Sequence, residues 1–191
     1  MTITNKGELK MKMRFKKIVV ALVLTGGISV ANANVCNYLP GSVTCGTGVV
    51  DSVQGNGTVL LNGTTVSGTT LVDGVLNADD ANFSSLEVNG SVKLTQCTIN
   101  DVSIIKGSLA ASSTKFHKSL KIYSDKTRFI NSKVNGDLRI CHTDSNKQSV
   151  YLDNFSEVTG DIIFDDGAGE VILRGKSKMG GKVVGGRVIV K

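Results

Sequence analysis

A chain of 191 residues has room for about one ordinary domain, and 22 Gly with a single Pro and no Trp excludes collagen and proline-rich linkers. A formal charge of +6 would suggest nucleic acid or membrane as a partner if it were spread over the fold, but six basic residues lie between Lys6 and Lys17. From Asn34 onward there are 16 basic and 15 acidic residues, so bulk attraction to nucleic acid is not expected.

The first predicted element is a secretory signal peptide over residues 1–33. A basic segment precedes the apolar run Ile18–Leu24, then come Gly26 and Gly27, and Ala31-Asn32-Ala33 supplies small residues for cleavage before Asn34. Met11 or Met13 would serve equally well as a start. The apolar run is short for a membrane span, so an uncleaved anchor is the weaker reading, and no stable span is expected after signal removal. Val35 stands where a lipid-attachment site would carry Gly or Ala, which argues against lipidation at Cys36.

Residues 34–52 lack the pattern that follows and are expected to form an N-terminal cap. Cys36 and Cys45 are close in sequence within it, and export would let a disulfide persist, so these two are predicted to pair.

From residue 53 to residue 191 one pattern is written repeatedly: a polar pair, an apolar residue, a short spacer, then apolar-x-apolar. The opening apolar residues are Val66, Phe83, Ile99, Phe116, Val134, Val158 and Met179, at intervals of 17, 16, 17, 18, 24 and 21. Expected partners follow at a nearly constant offset: Leu86 and Val88, Val102 and Ile104, Leu120 and Ile122, Leu138 and Ile140, Ile162 and Phe164. A second strand family runs through Val59–Leu61, Val75-Leu76, Val92–Leu94, Leu109–Ala111, Val150–Leu152, Val171–Leu173 and Val188–Val190. Corner residues fall at Asn62-Gly63, Asp73-Gly74, Asn89-Gly90, Lys106-Gly107 and Gly185-Gly186. Antiparallel hairpins would also use Asn-Gly, yet they predict no such interval. The expected fold class is therefore all-β, a single-stranded parallel β-helix (β-solenoid) of about seven rungs with a short N-terminal cap.

Insertions at 141–149 and 165–170 lengthen two rungs and are the expected places for a grafted binding site. Cys141, His142 and Asp144 could form a metal corner, but no CxxC or HxxxH accompanies them. Asp79-Asp80 and Asp165-Asp166 are adjacent, and neighbours on a strand point to opposite faces, which is wrong for paired catalytic acids. Cys97 fills the small-residue slot held by Ala81, Thr114 and Ser132 in sister rungs. Five Asn-x-Ser/Thr triplets follow from turn composition. No catalytic residue, metal or cofactor is expected.

The chain is strand-like to its last residue. Val183, Arg187, Val188, Val190 and Lys191 are the expected self-association edge, because an unpaired terminal strand invites another chain. Residues 34–92 carry five acids and no base, while 93–191 carry 16 bases and 10 acids, which would let unlike ends meet.

The apolar-x-Gly-x-apolar rhythm of Val88-Asn-Gly-Ser-Val92, Val134-Asn-Gly-Asp-Leu138, Val158-Thr-Gly-Asp-Ile162 and Met179-Gly-Gly-Lys-Val183 resembles the bactofilin, or polymer-forming, family. The resemblance implies a small right-handed β-helix that polymerises head to tail without nucleotide, scaffolds envelope processes and has no catalytic residues. Those proteins are cytoplasmic with disordered tails, whereas this chain carries an export signal and a cap. Together these features lead to the expectation of an exported, non-enzymatic structural or interaction protein of a bacterial envelope. Its expected partner is a second copy or another envelope component. The alternatives are a carbohydrate-binding or polysaccharide-cleaving β-helix, which the lack of Trp disfavours, and an adhesin-like surface module.

Overall fold

A computed structural model describes residues 35–144 and 147–191, and the expected signal peptide lies outside them. The described chain is all β, without a helix, and coils as a three-sided solenoid of parallel strands.

The side chains that hold it together form ladders along the axis. On the first face Val43, Val59, Leu76, Val92, Leu109, Thr127, Val150, Val171 and Val188 stack in register over nine levels. The second face stacks Val50, Val66, Phe83, Ile99, Phe116, Val134, Val158 and Met179. The third stacks Val53, Thr70, Leu86, Ser103, Leu120, Leu138, Ile162 and Val183. Period-two alternation turns every second residue inward, and each inward residue lies over its counterpart one coil away, so the apolar surface of one coil is covered by its neighbours. At about 4.8 Å per level the rod is roughly 40 Å long.

The seven opening residues read from the sequence all fall on the second-face ladder. Three details differ. The solenoid has about nine turns rather than about seven, because the levels at Ser42–Cys45 and Lys126–Ile130 were not read as coils. The latter hides behind charge: Lys126 and Arg128 point out, while Thr127 and Phe129 are buried. At the fourth third-face level the inward pair is Ser103 and Ile105 rather than Val102 and Ile104; Val102 is 52% exposed and its N–H is taken by the Asp101 carboxylate. In Val75-Leu76 the inward residue is Leu76.

Two corner designs keep the coils in register. Between the first and second faces a left-handed residue (Asp80, Gln96, Ser113, Asn131) precedes a small buried one (Ala81, Cys97, Thr114, Ser132). The backbone N–H groups of Cys97, Thr114, Ser132 and Ser156 each donate to the hydroxyl one level on, at 3.4, 3.0, 3.2 and 3.1 Å. This satisfies buried donors that the ladders cannot reach. Between the third and first faces Gly57, Gly74, Gly90 and Gly107 stack at φ 120–144°, so closely that a Cβ on any of them would strike a carbonyl oxygen of the level before. The glycine motif behind the family resemblance mixes corners: Gly90 lies here, whereas Gly136 and Gly160 turn from the second face to the third.

Within the 34–52 segment, Cys36–Leu39 runs antiparallel to Ser42–Cys45, and Cys36 is disulfide-bonded to its register partner Cys45. Ser42–Cys45 and Gly48–Val50 already lie on the parallel ladders.

Candidate functional site at the C-terminal end and the loop cluster

The two ends of the solenoid differ in how their inward residues are covered. At the first level Val43, Cys45 and Val53 are only 6%, 1% and 0% exposed and Val50 is half-buried; Cys36–Leu39 pairs with the first-face strand and Val35 packs against the core, while Gly48–Val50 and the start of Val53–Asn62 have no described partner on their outer edge. Val35 reaches this position because Gly48 beneath it has no side chain. At the last level Met179 and Val183 are half-buried, and Val188 and Val190 are 42% and 78% exposed, although Val158, Ile162 and Val171 one coil earlier are fully buried. Val188 and Val190 point the same way as Val171 and Leu173 below them, toward an axis on which no described residue covers them. Among the described residues the strands Lys178–Met179, Val183–Val184 and Gly186–Val190 have no partner on their outer edge.

The edge is less basic than its composition suggests. Arg187 donates to Glu170 through both Nε and Nη2, Lys147 lies 3.2 Å from the other oxygen of Glu170, and Lys178 lies 3.3 Å from Glu157, which also holds Lys133 at 3.0 Å. The Arg187 hydrogen bond, then that of Lys147, lowers the pKa of Glu170, and Lys133 leads in lowering that of Glu157. Of the proposed edge residues, Arg187 is therefore committed within its own chain, while Val183, Val188 and Val190 present apolar surface.

The two insertions meet beside the third-to-first corner. His142 Nδ1 lies 2.5 Å from Asp166 Oδ1, and Arg139 Nε lies 2.9 Å from Asp165 Oδ1. Thr143 Oγ1 donates to Asp125 at 2.6 Å, and Gln148 Nε2 donates to the Cys141 carbonyl at 2.7 Å. Asp165 and Asp166 thus engage different cations instead of facing one another. Cys141 is a buried free thiol and Cys97 another; burial raises both pKa values. Cys141, His142 and Asp144 do not converge, and among the described residues no group of three metal-ligating side chains does. Tyr123 shares a shallow depression with Asp125 and Asp144, but its ring carries the Lys121 ammonium, 5.3 Å from the ring centre.

The His142–Asp166 pair ties one insertion to the other in a pH-dependent way. The Asp166 hydrogen bond and charge raise the His142 pKa above its ordinary 6.5. The contribution is therefore fully present below about pH 6.5 and is lost as pH rises through the raised value. An NMR titration is expected to place His142 above 6.5, and Asp166→Asn to bring it back; a wild-type midpoint at or below 6.5 would refute the pairing.

A formed disulfide is what oxidising compartments preserve. Among the described residues no helix is long and apolar enough to cross a membrane, which leaves strand-built membrane structures unaddressed. Searches for similar proteins found no matching family model, no similar curated protein and no similar solved structure.

Proposed function

We propose that this is an exported, non-enzymatic structural or interaction protein of a bacterial envelope that self-associates through the C-terminal end of its solenoid. The observation that carries the reading is the contrast on the first face: at one end a disulfide-held antiparallel strand covers it, while among the described residues the other end leaves Val188 and Val190 exposed and the edge of Gly186–Val190 open. Burying such apolar residues against a copy removes them from water, and strand addition pairs the open backbone groups. The Cys36–Leu39 strand sits where a head-to-tail neighbour would add to the first face, so the association joins two C-terminal ends in a closed dimer rather than a filament. This departs from the head-to-tail polymers of the family it resembles. Because Arg187 and Lys178 are already paired, the contact is apolar and only weakly salt-sensitive. Export is supported by the sequence of residues 1–33 and the disulfide.

Sedimentation of the purified protein is expected to give a dimer at high concentration, at low and high salt alike. Val188→Glu with Val190→Glu, at positions 42% and 78% exposed in the single chain, should give a folded monomer whose unfolding temperature no longer depends on protein concentration. A wild-type monomer at every concentration, or a dimer that survives both substitutions, would sink the proposal.

A further inference from the structure

The regular corners between the first and second faces use one left-handed residue, but at one level there are two, Asn154 (φ 52°) and Phe155 (φ 65°). The added residue is an aromatic ring, 64% exposed, in a backbone region that large side chains avoid. The following serine closes this corner by donating to the Asp153 carbonyl, but that turn does not call for an exposed aromatic ring at position 155. The next corner, Gly175-Lys176, is also doubled, and it sets the Lys176 ammonium 5.8 Å from the Phe155 ring centre.

On the adjoining first face, the Tyr151 ring has Lys126 Nζ at 5.3 Å and Arg174 Cζ at 5.5 Å from its centre. These three residues come from successive levels of the rod. Among the described residues no carboxylate lies within ion-pair distance of Lys126, Arg174 or Lys176; each lies over an aromatic ring, which positions a cation without neutralising it. The nearby acid, Asp153, is nearly buried and is engaged by Arg128 Nε at 2.7 Å. The result is a cluster of cations that spans three levels of the rod around Tyr151, with the exposed Phe155 ring beside it.

We infer that this strip binds an acidic polysaccharide laid along the axis. Cations two levels apart stand about 10 Å from each other, a spacing suited to carboxylates repeated along a linear sugar chain, and Phe155 offers a surface for the apolar face of a pyranose. The other polyanions fit less well. An anionic membrane would take up several apolar side chains, and the strip presents one. Single-stranded nucleic acid stacks successive bases on several rings, and the strip presents one exposed ring, Phe155, while Tyr151 is covered by two cations. The inference is independent of the dimer, since its central residues lie on the side of the rod.

Affinity electrophoresis of the purified protein through gels containing polygalacturonate tests it, with single-stranded DNA and phosphatidylglycerol vesicles as separate arms. Polygalacturonate is expected to retard the protein at low salt and progressively less as salt is added. Lys126→Ala, Arg174→Ala and Lys176→Ala combined should weaken retention by about tenfold or more. Phe155→Gly, which relieves the strained corner, should weaken it severalfold without lowering the unfolding temperature, and so keeps the test valid if the triple variant folds poorly. Lys118→Ala with Lys121→Ala, outside the strip, should change little. No retention at low salt, retention unaffected by Phe155→Gly and the triple variant, or binding to DNA or vesicles in preference to polygalacturonate would overturn the inference.

Discussion

Gly90→Ala is expected to destabilise the protein by about 4 kcal/mol or more, a large share of the about 5–15 kcal/mol that holds an ordinary domain folded. A Cβ on Gly90 would stand 1.8 Å from the carbonyl oxygen of Gly74, and at φ 144° alanine is strained even without that contact. The obstacle is backbone, so no rotamer change relieves it. Neither can the two levels simply move apart, because the chain is held in continuous parallel register through this corner, Asp73 opposite Asn89, Gly74 opposite Gly90 and Val75 opposite Ser91. Separating the coils at this corner would break ladder hydrogen bonds on both adjoining faces. Gly167→Ala is the control: its φ of 72° is also left-handed, but open space surrounds it, so the cost should be about 1–2 kcal/mol. Urea unfolding of both variants decides the point, and similar midpoints would show that the stacked corner yields more readily than its geometry implies.

Phe116→Ala should cost about 3–5 kcal/mol, and Phe116→Leu less than about 2 kcal/mol. Phe116 is 1% exposed on the second-face ladder, and its ring meets Phe129, also 1% exposed, edge to face at 6.1 Å between centroids. The pair joins two faces of the coil across the interior. Alanine would leave a cavity bounded by ladders that cannot collapse, because their spacing is set by backbone hydrogen bonds; leucine refills most of it. Calorimetry gives the magnitudes, and hydrogen exchange should locate the loss at the Lys115–Val134 levels and their neighbours, as expected where stability passes between adjacent coils. Equal losses for the two variants would show that volume at this position is not what matters.

How much of this could be read beforehand depended on whether a residue's role repeats. Val66, Phe83, Ile99, Phe116, Val134, Val158 and Met179 were legible as one ladder because each faces the same environment one coil on. Cys97 was legible as packing because sister corners hold Ala81, Thr114 and Ser132. The Lys126–Ile130 level was missed because an inward Thr127 stands where other levels hold Val or Leu, between charged neighbours. Ser103 was passed over for Val102 for the same reason: the apolar residue was taken as the inward one, although strand register decides which side chain points in. Phe155 was missed altogether, yet the 24-residue interval from Val134 to Val158 signalled extra length, and the doubled corner at Asn154-Phe155 takes part of it.

Sequence by itself determined the all-β class, the coil interval and the Cys36–Cys45 pairing, because these rest on local alternation, turn residues and proximity along the chain. Tertiary structure decided that there are three faces, that the 34–52 segment contributes the first level, and that Arg187 answers Glu170 while Lys126 and Arg174 answer only a ring. The reason is stacking: residues 16 to 24 positions apart become neighbours about 4.8 Å apart, and whether a charge there meets an acid, an aromatic ring or water is set by how many residues each corner consumes.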